Sequence, residues 1–285
     1  MRSMATWRVR SIVALAWALL GAPSMASEQA PKVVSLGGGV TEIVYALGAE
    51  SLLVGRDLSS TYPEQARALP SVGYYRQLPA EGIVSLRPTL VIASENAGPP
   101  QSIEHLKALN IKVITVPDAP TVDSLKVRVR EIGQALGRKK AAETLIQQFE
   151  RDLALAKAGA KSSMSAMTVV IRGGKMLGAG RDTNADVVIQ AAGLRNALAT
   201  EKSYRPLSAE AVTRIAPEVI IVTAGTVKSM GTLKAVRDSP LLKHTPAVKN
   251  NRIVVLEDLL AQSFGLRLPQ AVTQIQQGLG LESKP

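Results

Sequence analysis

An internal repeat constrains the fold of this 285-residue chain more than any other feature. The segment LPAEGIVSLRPTLVI begins at Leu78, and the segment LSAEAVTRIAPEVII begins at Leu207. They share an apolar spacing, an Ala-Glu pair and a proline at matching offsets, and a tyrosine–arginine pair precedes each copy, at Tyr75 and Tyr204. Chance similarity between two α/β units would explain the apolar spacing but not the matching polar residues and prolines. The repeat therefore predicts two homologous halves.

Both halves alternate β-branched runs with helical stretches. The first half contains four predicted strands: VVSL at 33–36, LLVG at 52–55, TLVIAS at 89–94 and KVITV at 112–116. Helices are predicted between them, in GGGVTEIVYALGA, AEGIVSLR and SIEHLKALN. A second alternating segment begins with TVVIRG at 168–173 and continues through DVVIQAAG, EVIIVT and NRIVVLE. Such alternation predicts largely parallel sheets with helices on their faces.

The stretch between the halves, residues 121–161, has no strand pattern. TVDSLKVRVREIGQALG predicts one helix, and RKKAAETLIQQFERDLALAKAGAK continues as a long amphipathic one. Four apolar residues of this second helix recur on one face: Leu145, Phe149, Leu153 and Ala156.

The predicted fold class is therefore α/β, with two Rossmann-like lobes joined by a single long α-helix. We place the N-terminal lobe at 31–120, the linking helices at 121–164 and the C-terminal lobe at 165–285. One packed helix between the lobes allows only small tilts, whereas flexible loops permit wide hinge closure. The ligand cleft is expected between the lobes, near the carboxyl ends of the strands.

Residues 1–26 have the pattern of a secretory signal peptide. Three arginines precede the apolar run IVALAWALL, and the small residues Ser24 and Ala26 favour cleavage after Ala26. A membrane anchor is the alternative, but this apolar run is too short to cross about 30 Å of hydrocarbon. The sequence thus predicts an exported protein.

The composition excludes several classes of function. The leader carries three of the 34 Lys and Arg residues and none of the 23 Asp and Glu residues, so the remaining chain keeps a net charge of +8. This charge is scattered and lacks an aromatic-interleaved basic cluster, which disfavours nucleic acid as a partner. A basic cleft for a small anionic ligand is favoured instead. The chain has no cysteine, which excludes disulfides, thiolate metal sites and a cysteine nucleophile.

Few features of the sequence support an enzymatic function. The two histidines, His105 and His244, lie in an amphipathic helix and in a proline-flanked turn, where packing or surface roles are expected. No cluster of His, Asp and Glu has the spacing of a zinc site. The glycines at 37–39 lack the third glycine of a dinucleotide fingerprint and the lysine of a P-loop. They are expected to form a tight turn that approaches the cleft closely.

The aromatic residues point to iron chemistry. After the leader only seven aromatic residues remain, and Tyr74, Tyr75 and Tyr204 belong to the repeated segment. Ferric iron is a hard acid that prefers anionic oxygen, and a haem iron can take a tyrosinate ligand. A free tyrosine has a pKa near 10, and a guanidinium within about 4–6 Å favours the phenolate. If residues 74–76 are extended, Tyr74 and Arg76 point the same way, so Arg76 would support a phenolate or pair with a haem propionate. An equally good alternative is that the two adjacent tyrosines merely fill a loop.

With its leader, two α/β lobes, bridging helix and the segment VGYYRQLPAEGIVSLRPTLVIASENAGPP, the chain resembles the periplasmic haem-binding proteins of bacterial haem ABC importers. These belong to the helix-linked, class III substrate-binding proteins that also serve cobalamin and ferric siderophores. The most specific motif is VGY-x-RQL-x-AEG, in which the family's tyrosine is the axial haem ligand. The resemblance implies that Tyr74 binds the iron of ferric haem b, that Arg76 is the supporting arginine and that Tyr75 is a further haem neighbour.

The resemblance also implies haem contacts from the second lobe. Tyr204 and Arg205 would face the porphyrin or its propionates, and Lys228 and Arg267 would meet the propionates or the phenolate. Some relatives carry a histidine after the first strand of this lobe, which binds a second haem. Arg172 stands near that place here, which argues against a second, histidine-ligated haem.

The expected partners follow from the same resemblance. In the wider class, one exposed acidic residue on each lobe docks into arginine pockets of the permease, and Glu81 and Glu210 occupy these positions in the repeat. The helix dipole alone also favours glutamate in a first turn. We therefore expect a monomeric periplasmic carrier without a catalytic step. It would receive haem from an outer-membrane receptor and pass it to an inner-membrane ABC permease and its ATPase. The alternative is a carrier of cobalamin or of a ferric siderophore.

Overall fold

The computed structural model describes residues 30–159, 162–173 and 175–281, with the exception of the Arg172 side chain. The predicted signal peptide, residues 1–26, lies outside this range. Within the range, no helix combines the length and the apolar character that a membrane crossing requires.

The first half forms a four-stranded parallel sheet. Its strands are β1 (Val33–Leu36), β2 (Leu53–Arg56), β3 (Leu90–Ser94) and β4 (Lys112–Val116). They lie in the order β2-β1-β3-β4. All four predicted strands of this half are confirmed, with ends within one residue of the prediction. The parallel pairing leaves the carboxyl ends of all four strands at one edge of the sheet.

Helices cover both faces of this first sheet. They are α1 (Gly38–Ala46), α2 (Ala80–Val84) and α3 (Pro100–Ala108), and three 3₁₀ segments also occur, at Glu50–Leu52, Glu64–Ala68 and Tyr75–Gln77. Neighbouring strand residues serve opposite faces, as the pleat requires. Val33 packs into a core that includes residues of α1, whereas Val34 packs into a core that includes residues of α2 and α3.

The second half forms a six-stranded mixed sheet. Its strands are β5 (Ser165–Arg172), β6 (Lys175–Ala179), β7 (Arg195–Asn196), β8 (Tyr204–Leu207), β9 (Val219–Thr223) and β10 (Ile253–Leu256). The path β10-β9-β5 is parallel, β6 and β8 continue it in antiparallel fashion, and β7 pairs with β5. The predicted parallel arrangement therefore holds for the whole first sheet and for one side of the second.

The remaining helices link and cover the sheets. Along the chain, α4 (Val122–Ala135) and α5 (Lys139–Ala158) lie between the strands of the first sheet and those of the second. The second half contains α6 (Asn184–Ala191), α7 (Ala209–Ile215), α8 (Ala224–Met230), α9 (Leu233–Arg237), α10 (Pro246–Lys249), α11 (Asp258–Gln262) and α12 (Leu268–Leu279). The segment DVVIQAAG forms most of α6 and not a strand.

The long helix α5 joins the two sheets through a continuous core. Of its four predicted apolar residues, Phe149 and Leu153 are buried, and Leu145 and Ala156 pack against the same core in partly buried positions. This core also contains residues of β1, α4, β9 and α12, so it extends from the first sheet to the second. A core that is shared in this way resists wide separation of the lobes, because opening would expose close-packed apolar surface.

Candidate functional site

A cleft of about 1110 Å³ lies between the two lobes, at the carboxyl ends of their strands. On the first lobe its walls include residues 37–40, 94–96 and 118–120, which lie at the ends of β1, β3 and β4. On the second lobe they include residues 182–184 and 257–259, which follow β6 and β10. This is the expected position for a ligand of open α/β sheets.

The three glycines after β1 let the backbone approach the cleft closely. Gly37 has a φ of +112°, a conformation that L side chains rarely adopt. A Cβ at Gly38 would lie 3.0 Å from the carbonyl oxygen of Ser59. The buried carboxylate of Asp57 anchors this turn, because its Oδ1 accepts a hydrogen bond from the Gly37 N–H at 3.0 Å and another from the Ser60 hydroxyl at 2.6 Å.

Tyr74, the expected iron ligand, lines the cleft and is 41% exposed. It follows Gly73, whose φ of +97° turns the chain and whose Cβ, if present, would lie 2.9 Å from Pro79 Cδ. The backbone is tied on both sides of Tyr74, since the Leu58 N–H donates to the Gly73 carbonyl at 2.8 Å and the Gln77 N–H donates to the Tyr74 carbonyl at 2.9 Å. The Tyr74 side chain therefore lines the cleft from a backbone that hydrogen bonds hold in place.

Arg76 bonds to Tyr75 and not to Tyr74. The Arg76 Nε donates to the Tyr75 hydroxyl at 2.9 Å, and the guanidinium carbon lies 5.1 Å from the centre of the Tyr75 ring. The condition for the predicted Tyr74–Arg76 contact was an extended chain, but Tyr75–Gln77 form a 3₁₀ turn. Because of this turn, the side chains of residues 74 and 76 do not point in the same direction, as they would in an extended chain. The Tyr74 ring meets the Tyr75 ring edge-on, with ring centres 5.3 Å apart.

The electrostatics of this segment follow from burial and from the hydrogen bond that Arg76 donates to the Tyr75 phenol. Burial raises the pKa of the Tyr75 phenol, and Arg76 opposes that shift without cancelling it. Burial acts to lower the pKa of Arg76, but Tyr75 and, less strongly, Tyr74 raise it above its ordinary value. Tyr75 is therefore a neutral partner that fixes the position of the Arg76 cation.

The second lobe contributes Tyr204 to the cleft. Tyr204 begins β8 and pairs with Ala179 of β6, and burial raises the pKa of its phenol. The neighbouring Arg205 is not part of the cleft lining; its exposed side chain lies 3.7 Å from the Glu201 carboxylate. Lys228, on α8, is exposed and also outside the lining. The Arg172 side chain is outside what the structure describes.

Arg267 was expected to face the ligand, but it is engaged in a junction between the lobes. Its Nε lies 3.2 Å from Glu42 of α1, and its Nη2 lies 3.0 Å from Glu257. The guanidinium carbon stacks 3.6 Å from the centre of the Tyr62 ring. Arg267 is not part of the described cleft lining. The resemblance assigned the Arg267 guanidinium to a haem propionate, but in the structure it is paired with two carboxylates.

The charge of the cleft differs from the expectation drawn from net charge. Its described lining contains two arginines, Arg67 and Arg76, and five carboxylates: Glu95, Asp118, Asp182, Glu257 and Asp258. The lining is therefore not basic, because most of the chain's lysines and arginines lie elsewhere on the surface. Sequence reasoning did not find Arg67, which lies in the 3₁₀ segment Glu64–Ala68 outside any motif.

One of these carboxylates is neutralised from beneath the cleft. Arg128 of α4 is 1% exposed, and its Nη2 lies 2.8 Å from the Asp118 carboxylate. Its Nε donates to the Pro117 carbonyl at 2.7 Å, and its Nη1 donates to the Phe264 carbonyl of the second lobe at 3.4 Å. Burial lowers the pKa of Arg128, and Asp118 opposes that shift. Arg128 thus supports the cleft floor and also connects the two lobes.

The two glutamates of the repeat occupy equivalent exposed positions. Glu81 lies in the first turn of α2 and Glu210 in the first turn of α7. Ser208 caps α7 by accepting a hydrogen bond from the Ala211 N–H at 3.2 Å. A hydrogen bond from Ser208 lowers the pKa of the Glu210 carboxyl. Neither glutamate forms an ion pair with the residues that the structure describes.

The two histidines lie apart from the cleft. His105 on α3 and His244 near α10 are both exposed, and neither belongs to the described lining. Across residues 30–159, 162–173 and 175–281, no group of three or more His, Asp and Glu side chains has the geometry to hold a metal ion.

Known proteins share this architecture. Residues 33–259 match the family described as periplasmic binding protein. The periplasmic heme-binding protein RhuT from Roseiflexus sp. RS-1, solved in apo form, is 37% identical with a TM-score of 0.82, and the alignment covers 87% of this chain and 97% of RhuT. The periplasmic heme-binding protein BhuT, solved in complex with two hemes, is 36% identical with a TM-score of 0.81, and the same shares of the two chains, 87% and 97%, are covered.

Curated relatives by sequence are more distant. The uncharacterized ABC transporter substrate-binding lipoprotein YvrC from Bacillus subtilis (strain 168) is 29% identical over 255 residues, which are 87% of this chain and 79% of YvrC. The vitamin B12-binding protein of Yersinia pseudotuberculosis is 30% identical over 142 residues, which are 50% of this chain and 49% of that protein. The likeness to the B12-binding protein thus spans only about half of either chain.

Proposed function

The chain belongs to the periplasmic binding protein family, and from this premise we propose that it binds ferric haem b in the periplasm and delivers it to an inner-membrane ABC permease. The proposal draws support from the two structural relatives at 36% and 37% identity, which are described as periplasmic heme-binding proteins. The name of YvrC supports the link to an ABC transporter. The carrier has no catalytic step of its own.

The observation that carries the proposal is a tyrosine side chain open to a large cleft. Tyr74 is 41% exposed on a tethered backbone, and a phenolate oxygen is the hard, anionic donor that ferric iron prefers. Small-molecule pockets commonly measure about 300–1,000 Å³. A cleft of about 1110 Å³ therefore has room for a ligand as large as a tetrapyrrole.

Arg76 would favour the iron-bound phenolate through its charge. A cation close to a phenol stabilises the anionic form, and Tyr75 holds the guanidinium in place by the 2.9 Å hydrogen bond. Tyr204 would pack against the porphyrin from the opposite lobe, because its ring lines the same cleft. We retain Arg205 and Lys228 as ligand contacts only for an arrangement of the lobes in which they turn toward the cleft, and we retain Arg172 as an expected contact.

Delivery would use the exposed glutamates of the repeat. Glu81 and Glu210 lie in matching first turns, one on each lobe, as a partner with two-fold symmetry requires. The permease and its ATPase are the partners at this step, and an outer-membrane receptor is the source of the haem. Because a continuous core resists spontaneous opening, the permease would trigger release by spreading the lobes or by disturbing Tyr74.

The test is a hemin titration of the purified protein, followed at the Soret band. We expect a high-spin ferric spectrum of the tyrosinate type in the wild-type protein, and loss of its charge-transfer band in Tyr74→Phe. Tyr45→Phe is the matched control, because Tyr45 lies on α1 outside the described cleft lining. An unchanged spectrum in Tyr74→Phe would exclude Tyr74 as the ligand.

A carrier of cobalamin or of a ferric siderophore is the second candidate. It is favoured by the half-length likeness to the vitamin B12-binding protein. The two functions are separated by adding cyanocobalamin or a ferric siderophore in place of hemin. Tight binding of either ligand, together with weak hemin binding that lacks the tyrosinate band, would support this candidate over the haem carrier.

A further inference from the structure

We infer that Arg67 binds a carboxylate of the ligand in the cleft, and that in a haem carrier this carboxylate is one of the two propionates. The inference rests on the function proposed above and adds a residue from outside the repeated tyrosine–arginine segment. Arg67 lines the cleft together with Thr61 on the same lobe, and Tyr74 belongs to the same lining.

The position of Arg67 is set before any ligand arrives. Its Nε donates a hydrogen bond to the Thr61 carbonyl at 3.2 Å. Its own carbonyl accepts from Nη2 of Arg56 at 3.3 Å, and Nε of Arg56 donates to the Ala66 carbonyl at 3.1 Å. Arg56 therefore secures the 3₁₀ segment that carries Arg67. Such preorganisation lowers the entropy that binding costs.

The end of the Arg67 guanidinium remains available. Among the residues that the structure describes, the hydrogen bond to Thr61 is the contact that its side chain makes, and no carboxylate pairs with it. Both terminal nitrogens, Nη1 and Nη2, can therefore donate to a ligand. A planar guanidinium with two free nitrogens suits a carboxylate, which it can bind through two parallel hydrogen bonds.

Because carboxylates outnumber arginines in the cleft lining, the Arg67 cation matters for the binding of an anionic ligand. Five carboxylates and two arginines line the cleft. Arg128 and Arg267 pair with two of these carboxylates, Asp118 and Glu257, and the other three repel an anionic ligand. Arg76 already donates to Tyr75 beside the proposed iron ligand. Arg67 is the remaining described arginine of the lining, and a propionate at the porphyrin edge gains most by lying next to it.

Two described cations of the second lobe, Arg267 and Arg205, do not compete for this role in the observed arrangement. Arg267 is held by Glu42 and Glu257, and Arg205 lies near Glu201 outside the lining. A propionate contact from the first lobe would also fix the orientation of the porphyrin relative to Tyr74, because both groups belong to the same rigid wall.

The test compares hemin with hemin dimethyl ester, in which both propionate charges are blocked. Wild type, Arg67→Gln and Arg214→Gln are titrated with each compound as full exported proteins. Arg214 is an exposed arginine of α7 outside the described lining, so it controls for the loss of one positive charge. We expect Arg67→Gln to weaken hemin binding roughly tenfold, or about 1.4 kcal/mol. Its affinity for the ester and its visible spectrum should match those of the wild type.

Each outcome bears on the inference. Equal hemin affinities of wild type and Arg67→Gln would contradict it. Equal losses for hemin and for the ester would contradict it as well, because the substitution would then act through the fold. Both results leave the haem function intact, provided that wild type shows the tyrosinate spectrum. A wild-type protein that binds neither compound would overturn the function and the inference together. Arg67→Lys, which keeps the charge but loses the fork, should fall between wild type and Arg67→Gln for hemin alone.

Discussion

At the scale of single residues, two adjacent tyrosines have different surroundings and therefore different expected roles. Tyr74 is 41% exposed in the cleft, whereas Tyr75 is 8% exposed and its hydroxyl accepts the hydrogen bond from Arg76. The alternatives left open by the sequence, a ligand or a loop filler, are thus both represented. Tyr75 fills the loop and positions Arg76, and Tyr74 stays the proposed contact for the ligand.

Substitution of Tyr75 by Phe tests this division. Tyr75→Phe removes the acceptor of the Arg76 Nε, so we expect the free energy of unfolding to fall by about 1 kcal/mol, less than is usual for a hydrogen bond to a charged group because Arg76 is exposed. Tyr74→Phe should change it by less than about 0.5 kcal/mol, as an exposed side chain does. Urea denaturation of the ligand-free proteins measures both. A larger loss in Tyr74→Phe than in Tyr75→Phe would reverse the assignment.

At the scale of elements, helices α1 and α12 meet at a buried ion pair. Glu42 of α1 is 8% exposed, and Arg267, which immediately precedes α12, binds it at 3.2 Å. Burial raises the pKa of Glu42, and the attraction of Arg267 offsets this only in part, while Glu257 adds to the increase. The two lobes are therefore joined at this point by a carboxyl group that is costly to ionise.

This junction predicts a pH dependence of stability. Because the folded protein raises the pKa of Glu42 above its ordinary value of 4.5, its contribution to stability is fully present below pH 4.5 and is lost as the pH rises through the folded pKa. Glu42→Gln keeps an uncharged acceptor for Arg267 and removes the titration. We expect the unfolding free energy of wild type, minus that of Glu42→Gln, to decrease from pH 4 towards neutrality.

The difference between the two proteins isolates this carboxyl group from the others. Glu131→Gln, at an exposed position on α4, is the control for the removal of one carboxyl group, and its unfolding is measured over the same pH range. A difference for Glu42→Gln that increases with pH would mean that the ion pair with Arg267 outweighs burial.

At the scale of the whole molecule, two lobes with a shared core present one cleft and two matching glutamates. The core that runs through α5 limits opening, and Arg128 and Arg267 add polar connections between the lobes. Glu81 and Glu210 lie in the first turns of corresponding helices and outside the described cleft lining. Ligand binding and docking on a permease are therefore expected to be separable by mutation.

Charge reversal tests this separation. The double variant Glu81→Lys with Glu210→Lys should lower haem transfer to a permease reconstituted in vesicles and should stimulate its ATPase less, because docking into arginine pockets would become repulsive. Its hemin affinity should equal that of wild type. Glu131→Lys is the matched control and should behave as wild type in both measurements. Loss of hemin affinity in the double variant would contradict the docking role.

Much of this organisation is readable from the sequence because it depends on local patterns. The strands of the first half follow from β-branched runs, and the two-lobed α/β class, confirmed by the structure, follows from the repeat and the alternation. The VGY-x-RQL-x-AEG motif singled out Tyr74, which lines the cleft, and its role as the iron ligand stays a prediction. The antiparallel side of the second sheet was not predicted. Periodicity indicates that a segment is a strand, but the direction of the strand in the sheet depends on the path of the connection that leads into it.

The sequence by itself determined which elements form and which residues belong to matching places in the two lobes, because these depend on spacing along the chain. Only the tertiary structure decided which charges meet. It directed Arg76 to Tyr75, it placed Arg267 between Glu42 and Glu257, and it brought Arg67 into a cleft that carries more carboxylates than arginines. The physical reason is that a contact such as Arg267 with Glu42 joins residues that are distant in sequence, while in the tyrosine–arginine segment a 3₁₀ turn in place of an extended chain gave Arg76 a different partner.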